Sequence, residues 1–371
     1  MPIDWPYFEK ILTLIAGNDA PDVFLIDADK INIYADSGQI RDLEPFVAAS
    51  TDLKVSDLLP EVVPFCRWKG KLHALPNQFY TFVVYYNKDL FDSAGLPYPS
   101  PDWTWDEFVR IAEKLTVVGR NGVVSQFGLS GFGGSQQYLV LAMEFGASVL
   151  DRSATRCELD SPAALEAARL YKDLKDTWHI APRASESENL GPMAAFQLGK
   201  AAMHISGQWL IPELRNYQNL RWSVAPMPHP AGRPVRTYLG VHAFVMSSQT
   251  RFPDAAWKFI RYTAGRNAQE MVASLRINMP VFAPIAYSEK FAYDKTRPDD
   301  GNLTGLEARK YGFIIDSTPR CPVTLIQNIL DTELEKCIKG VGTATPEQAM
   351  REATRRIDEQ LGSRQGVFLH Y

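Results

Sequence analysis

The chain carries six histidines, His73, His179, His204, His229, His242 and His370, and none has a second histidine one helical turn away. A zinc site of the H-E-x-x-H kind needs two imidazoles on one helix face, so no metal ligands are expected. The four cysteines, Cys66, Cys157, Cys321 and Cys337, form no C-x-x-C pair, which argues against a zinc ribbon or a thioredoxin-like centre. Buried free thiols are expected, with one disulfide as the alternative. No G-x-S-x-G nucleophile elbow and no G-x-x-x-x-G-K-[ST] phosphate loop is present. The segment "GLSGFGG" misses the G-x-G-x-x-G register and reads as a glycine bend beside a cleft, a phosphate loop being the alternative. Carboxylates are abundant, but a sequence does not show which of them lie close together, so glycosidase chemistry stays open on that ground. No catalytic residue and no cofactor is assigned.

What the chain does offer is aromatic and amide side chains next to glycines at the ends of apolar runs. In "PNQFYTF" the period-two alternation of a strand puts Gln78 and Tyr80 on one face and Phe79 on the other. "GQW" places Trp209 directly after a strand, and "TYLG" sets Tyr238 two residues before Gly240. Flat aromatic faces pack on the apolar patches of sugar rings, while amides and carboxylates satisfy hydroxyls. A stacked ring adds about 1 kcal/mol beyond burial. Each of these aromatics could equally be a core residue.

These side chains need a scaffold, and the composition supplies one. The chain has 371 residues, 46% hydrophobic and 22% charged, enough for two domains or one large one with an ample core. A net charge of -4, with no run of Lys and Arg interleaved with aromatics, argues against a nucleic-acid partner. The longest apolar runs, such as "VFLI", are of strand length. "MPIDWPYFEKIL" lacks the basic and apolar regions of a signal peptide, which by itself favours the cytoplasm.

The elements alternate. Phe8, Ile11, Leu12 and Ile15 predict a helix after Pro6 that stops at Gly17, and "PDVFLID" predicts a buried strand. In "VVYYNKDLFDSAGLPYPSPDWTWDEFVRIAEKL" a buried strand, a short helix closed by Gly95 and a proline connector lead to a second helix. That helix is capped by Thr104 with Glu107, and Phe108, Ile111, Ala112 and Leu115 form its buried stripe. Ser161 and Pro162 predict the start of another helix, with Leu165, Ala168, Tyr171 and Leu174 inward. "AAMHI" and "RTYLGVHAFVMSS" read as strands, and "FPDAAWKFIRYTAG" as an amphipathic helix. Thr345 caps a terminal helix with Gln348, whose inner face is Ala349, Met350, Ala353, Ile357 and Leu361. This rhythm predicts α/β lobes with largely parallel sheets.

Five segments in order carry a resemblance: "PDVF" with its acidic sequel, "LPNQFYTFVVYYNKDLFDSAGL…WTWDEF", "LGKAAMHISGQW", "VAPMPHPAG…YLGVHAFVMSSQTRFPDAAWKFIRYTAG" and "TPEQAMREATRRIDEQL". Together they resemble the bacterial extracellular solute-binding proteins of sugar-type ABC transporters, the maltose-binding-like group. The resemblance implies an α/β, periplasmic-binding-protein-like fold of two discontinuous lobes, 1–82 with 245–300 and 86–238 with 305–371. Hinge crossings would lie near 83–86, 238–244 and 300–305, with a ligand cleft between the lobes. It implies a non-enzymatic monomer, periplasmic or lipid-anchored at the cell surface, that binds a carbohydrate, closes on it, and delivers it to ABC transporter permease subunits. Family contact positions fall here on Asp29, Lys30, Gln78, Tyr80, Phe132, Gln136, Trp209, Tyr238, Gly240 and Arg320, although Arg320 also reads as a surface charge. The family places a secretion signal and a strand–helix–strand unit ahead of the first helix seen here, so a misassigned start or a fragment is expected. A complete chain would leave a sheet edge or apolar face open in the first lobe. Two other readings are a carbohydrate-processing enzyme using the cleft and a truncated cytoplasmic ligand sensor without transport. Turnover of bound sugar would identify the first, and absence of an upstream in-frame signal sequence the second.

Overall fold

The computed structural model describes residues 5–183, 186, 190–276, 278–293, 301–338 and 341–362. The chain divides into two compact units, Met1–Tyr80 with Leu239–Ala292, and Thr81–Tyr238 with Tyr293–Tyr371. In chain order the strands are β1 (Val23–Asp27), β2 (Arg67–Trp68), β3 (Lys71–Leu72), β4 (Ala74–Asn87), β5 (Val117–Val118), β6 (Val124–Ser130), β7 (Ala201–Gly207), β8 (Trp222–Pro226), β9 (Thr237–Met246), β10 (Met279–Pro280) and β11 (Gly312–Phe313).

The chain changes unit between Tyr80 and Thr81, between Tyr238 and Leu239, and between Ala292 and Tyr293. The first change falls inside β4, a 14-residue strand that continues through the expected span 83–86 without a turn former. No break in the residue pattern marks it. The second falls within β9, and the third precedes the expected span 300–305, of which residue 300, with 294–299, lies outside the described residues.

In the first unit β1 runs antiparallel to β9, from Val23 opposite Met246 to Asp27 opposite His242. β10 runs antiparallel to β4, with Met279 opposite Phe79 and Pro280 opposite Gln78. β1 was expected as a buried strand. It ends the strand order and buries only alternate residues, Phe24 and Ile26, as a pleated strand with one covered face does. The first helix spans Trp5–Ala16, so Pro6 lies in its first turn, where no N–H is needed. Asn18 (φ 55°), rather than Gly17, makes the left-handed turn that ends it.

In the second unit β4 is flanked antiparallel by β7, from Phe82 opposite Gly207 to Tyr86 opposite Met203, and by β8, from Val83 opposite Pro226 to Asn87 opposite Trp222. β6 pairs parallel with β7, β5 antiparallel with β6, and β11 parallel with β9. Most of these pairings are antiparallel, against the largely parallel sheets expected. The reason is connectivity: β4 and β9 enter a sheet directly from the other unit, so no helical crossover imposes parallel pairing on them.

Val83, Tyr85, Phe196, Ile211, Leu214, Leu220, Trp222 and Val224 form one buried cluster in this unit. Asn87 Oδ1 caps the helix Lys88–Ser93 by accepting from the N–H groups of Asp89 (3.0 Å) and Leu90 (3.2 Å). Thr104 and Glu107 form the expected capping box, as do Thr345 and Gln348. Three expectations fail. Leu165 is only half-buried, and Ala164 and Ala167 take its place on the inner face of Pro162–Asp176. Ile111 is only half-buried, and Trp105 and Val109 take its place because the helix Trp105–Leu115 turns that flank inward. Ser161 occupies the cap position of Pro162–Asp176, but its hydroxyl is buried and makes no cap bond. All four cysteines are free and buried.

Candidate functional site

In the first unit, β1 delivers Asp27 to its end and the three-residue turn Ala28–Lys30 follows at once. That turn folds Lys30 back, so its Nζ donates to Asp27 Oδ2 (2.9 Å) and Asp29 Oδ1 (3.1 Å) and lies 4.5 Å from the centre of the Phe8 ring. The β1–β9 register sets His242 opposite Asp27, with His242 Nε2 3.2 Å from Asp27 Oδ1. Gln78, on β4, reaches the other ring nitrogen: its Nε2 lies 2.9 Å from His242 Nδ1. The Tyr80 ring meets the His242 ring edge-on at 5.4 Å.

Burial works against charge on Asp27, but Lys30 and His242 outweigh it and hold this carboxyl well below the usual range. Asp29 goes the other way, because burial exceeds the pull of Lys30. Lys30 is largely screened from solvent, which works against its charge, but the two carboxylates outweigh this and hold its ammonium above the ordinary lysine value.

In the second unit, β7 ends at Gly207 and passes into the turn Gln208–Leu210. Trp209 folds back over Gly207, where a Cβ would stand 1.8 Å from its Cζ3. Glycine is needed here for space, since its φ of -79° suits any residue. Trp209 is 36% exposed and meets Phe82 edge-on at 6.0 Å. Phe82 stacks on Tyr238 with centroids 5.5 Å apart and planes at 28°, and Tyr238 meets Phe313 edge-on at 6.3 Å. Gln208 is buried behind this platform: it accepts from the Thr81 N–H (3.4 Å) and donates to the Gly301 carbonyl (3.3 Å). Tyr85 donates to the Gly207 carbonyl (2.7 Å) and pins the end of β7.

Of the expected site residues, Asp29, Lys30, Gln78, Tyr80 and Gly240 come together in the first unit, and Trp209 and Tyr238 in the second. Phe132 is buried between Trp105 (6.2 Å) and Tyr171 (5.5 Å). Gln136 is half-buried on the helix Ser135–Glu144, and Arg320 is exposed in the turn Thr318–Cys321. Among the described residues neither makes a hydrogen bond or ion pair with either cluster. The glycine bend is no phosphate loop: the Ser135 N–H at the start of its helix already donates to Asp331 Oδ1 (2.6 Å).

Sequence reasoning missed Asp27, Phe82, Gln208 and His242. Period-two alternation pointed to two of them, since Phe82 follows Tyr80 and His242 follows Gly240 by two residues. It also missed Glu144, which ends its helix 1% exposed with both carboxylate oxygens unpartnered. Burial raises its pKa well above the usual value, with Trp105 and Arg236 acting in the opposite direction. Glu144 lines a narrow apolar cavity with Phe82, Phe132, Ile205 and Met227. The Trp105 indole N–H, in the same lining, faces Glu144 and favours its charged form, without a hydrogen bond of normal geometry between them. Among the described residues no group of three or more His, Cys, Asp or Glu is placed to hold a metal ion.

Two discontinuous α/β units joined by three passages of the chain are the architecture of the periplasmic binding-protein fold. Residues 6–270 match the family described as bacterial extracellular solute-binding protein, and the chain belongs to that family. Relatives include the maltotriose-binding protein of Pyrococcus abyssi, 26% identical over 267 residues, which cover 69% of this chain and 54% of that protein. The maltodextrin-binding protein MdxE of Bacillus subtilis is 28% identical over 278 residues, covering 71% and 59%. The chain thus spans little more than half the length of these curated relatives. Among solved structures, the ABC substrate-binding protein Lmo0181 of Listeria monocytogenes, in complex with cycloalternan, aligns over 98% of this chain and 90% of that one. The TM-score is 0.86 at 25% identity. Among the described residues no helix is long and apolar enough to cross a membrane.

Proposed function

We propose that this chain is the substrate-binding component of an ABC importer, which binds a carbohydrate, an oligosaccharide or sugar derivative, outside the cytoplasmic membrane and hands it unchanged to permease subunits. The observation that carries this reading is the part-exposed Trp209 ring set against the Phe82–Tyr238 stack. Such a platform suits the apolar face of a pyranose, and the Asp29–Lys30–Gln78 network offers the acceptors and donors that hydroxyls need. The names of the relatives favour oligosaccharides: maltotriose, maltodextrin and cycloalternan are what those proteins bind. Hinge closure, implied by the resemblance, belongs to the same reading.

The test is calorimetric titration with maltotriose, a maltodextrin and cycloalternan, followed by product analysis. Stoichiometric binding with the sugar recovered intact supports the proposal. Cleaved sugar overturns it in favour of an enzyme, and a folded protein that binds none of the three overturns the oligosaccharide assignment.

A further inference from the structure

Five side chains of the first unit form one line of hydrogen bonds and close polar contacts, Gln78–His242–Asp27–Lys30–Asp29, in which His242 Nε2 faces Asp27 Oδ1 at 3.2 Å. Three of them are expected ligand residues, and His242 and Asp27 are not. We propose that His242 is a positioning residue that sets which way round the Gln78 amide faces a ligand. This inference rests on the binding function proposed above.

The hydrogen-bond chemistry of the line leaves little choice. Lys30 holds Asp27 as a carboxylate, which only accepts, so the ring nitrogen facing it, His242 Nε2, must carry a proton. In a neutral ring Nδ1 is then an acceptor. The Gln78 atom 2.9 Å away must therefore be the amide nitrogen, which turns the amide oxygen outward together with the second amide hydrogen. A second proton on the ring reverses this. Nδ1–H becomes a donor, the amide must rotate to meet it with its oxygen, and Gln78 then presents an NH2 group alone. Asp27 accepts in either state, so the Gln78 side is the end free to respond. The charged and titratable groups around the ring are Asp27 on β1, Asp29 and Lys30 on the turn after it, and the Tyr80 phenol on β4. Tyr7 and Tyr34 lie beyond, facing Asp27. A sugar hydroxyl that donates to the amide oxygen in one state would have to accept in the other, so ring protonation alters affinity without moving the backbone.

Nitrogen-15 NMR of the imidazole in the ligand-free protein tests the network without any sugar. At alkaline pH the ring should carry its proton on Nε2 alone. In Gln78→Glu, where only an acceptor faces Nδ1, the ring should stay doubly protonated to higher pH than in the wild type. A wild-type ring protonated on Nδ1, or no shift in Gln78→Glu, overturns the proposal. Maltotriose titrations of the wild type and of His242→Gln at one neutral pH give the second readout. The variant should bind about threefold or more weaker, because nothing then fixes which end of the Gln78 amide faces the ligand. Unchanged affinity in His242→Gln overturns the role of the ring. If maltotriose fails to bind the wild type, the functional reading fails for that sugar, while the NMR result still decides the network.

Discussion

Gly240 lies directly against the face of the Tyr80 ring: a Cβ on Gly240 would stand 2.0 Å from Tyr80 Cζ. The two belong to the same unit, and the contact explains why a strand otherwise rich in branched residues is interrupted here. Gly240→Ala should push the ring out of place and destabilise the protein by about 1–3 kcal/mol, as overpacking does. It should also weaken sugar binding. Adding Tyr80→Ala should recover part of the lost stability. Thermal melts of both single variants and the double variant check this, and purely additive losses would mean the two residues do not act on each other.

Trp209→Ala should weaken carbohydrate binding about tenfold or more, equivalent to about 1.4 kcal/mol, with little change in melting temperature. The ring is 36% exposed and meets Phe82 edge-on from the surface of the platform, so less of the core depends on it than on Phe82. Phe82→Ala should instead lose both binding and stability, because Phe82 is buried under Trp209 and Tyr238. Calorimetry and denaturation on the two variants separate these roles.

His204 gives the fold a weakness towards acid. Burial pushes its imidazole down to about 4, and its Nδ1 faces the Ser130 hydroxyl at 3.0 Å. In the unfolded chain a histidine takes its proton near about 6.5. Between those values the unfolded state binds the extra proton, so stability falls as pH drops from about 6.5 towards 4, by about 3 kcal/mol in all. The urea midpoint followed across that range should fall less steeply in His204→Gln. An identical slope in the variant would mean other groups carry the acid sensitivity.

Glu144 has the opposite sign. Its folded pKa is raised, so the stability linked to it is fully present below the unfolded value near about 4.5 and is lost as pH rises. Glu144→Met removes a buried carboxyl from an apolar cavity but also takes away the acceptor facing the Trp105 indole N–H, so it should stabilise the protein at neutral pH by about 1 kcal/mol. The gain should shrink below about pH 4.5. Guanidinium melts at both pH values test this, and a destabilised variant at neutral pH would mean that Glu144 makes an interaction essential to the fold.

What the residue pattern revealed was local. The capping box at Thr104 and Glu107 and the inner face of the terminal helix depend on side chains within one or two turns, and both stand as read. Ser161 shows the limit: cap residue and Pro162 are correctly placed, yet the hydroxyl makes no cap bond, which spacing alone does not reveal. Long-range pairing was hidden. Asp27 and His242 are distant in sequence and meet only through the β1–β9 register, so neither stood out as a site residue. Gln208 was passed over beside the more conspicuous Trp209, because its value lies in the Thr81 and Gly301 backbone groups it satisfies. The need for glycine at 207 was hidden in the same way, because it comes from the indole of Trp209 folding back over it.

The burial of the four cysteines has a practical consequence. Cys66, Cys157 and Cys321 are 0% exposed and Cys337 2%, and burial raises every one of these thiols above its ordinary pKa. Thiol reagents attack exposed thiolates, so the native chain should be silent towards maleimides. A single cysteine introduced on the surface near Trp209 would then be the one reactive handle. An environment-sensitive dye attached there would turn the protein into a fluorescent saccharide sensor without the removal of any native residue.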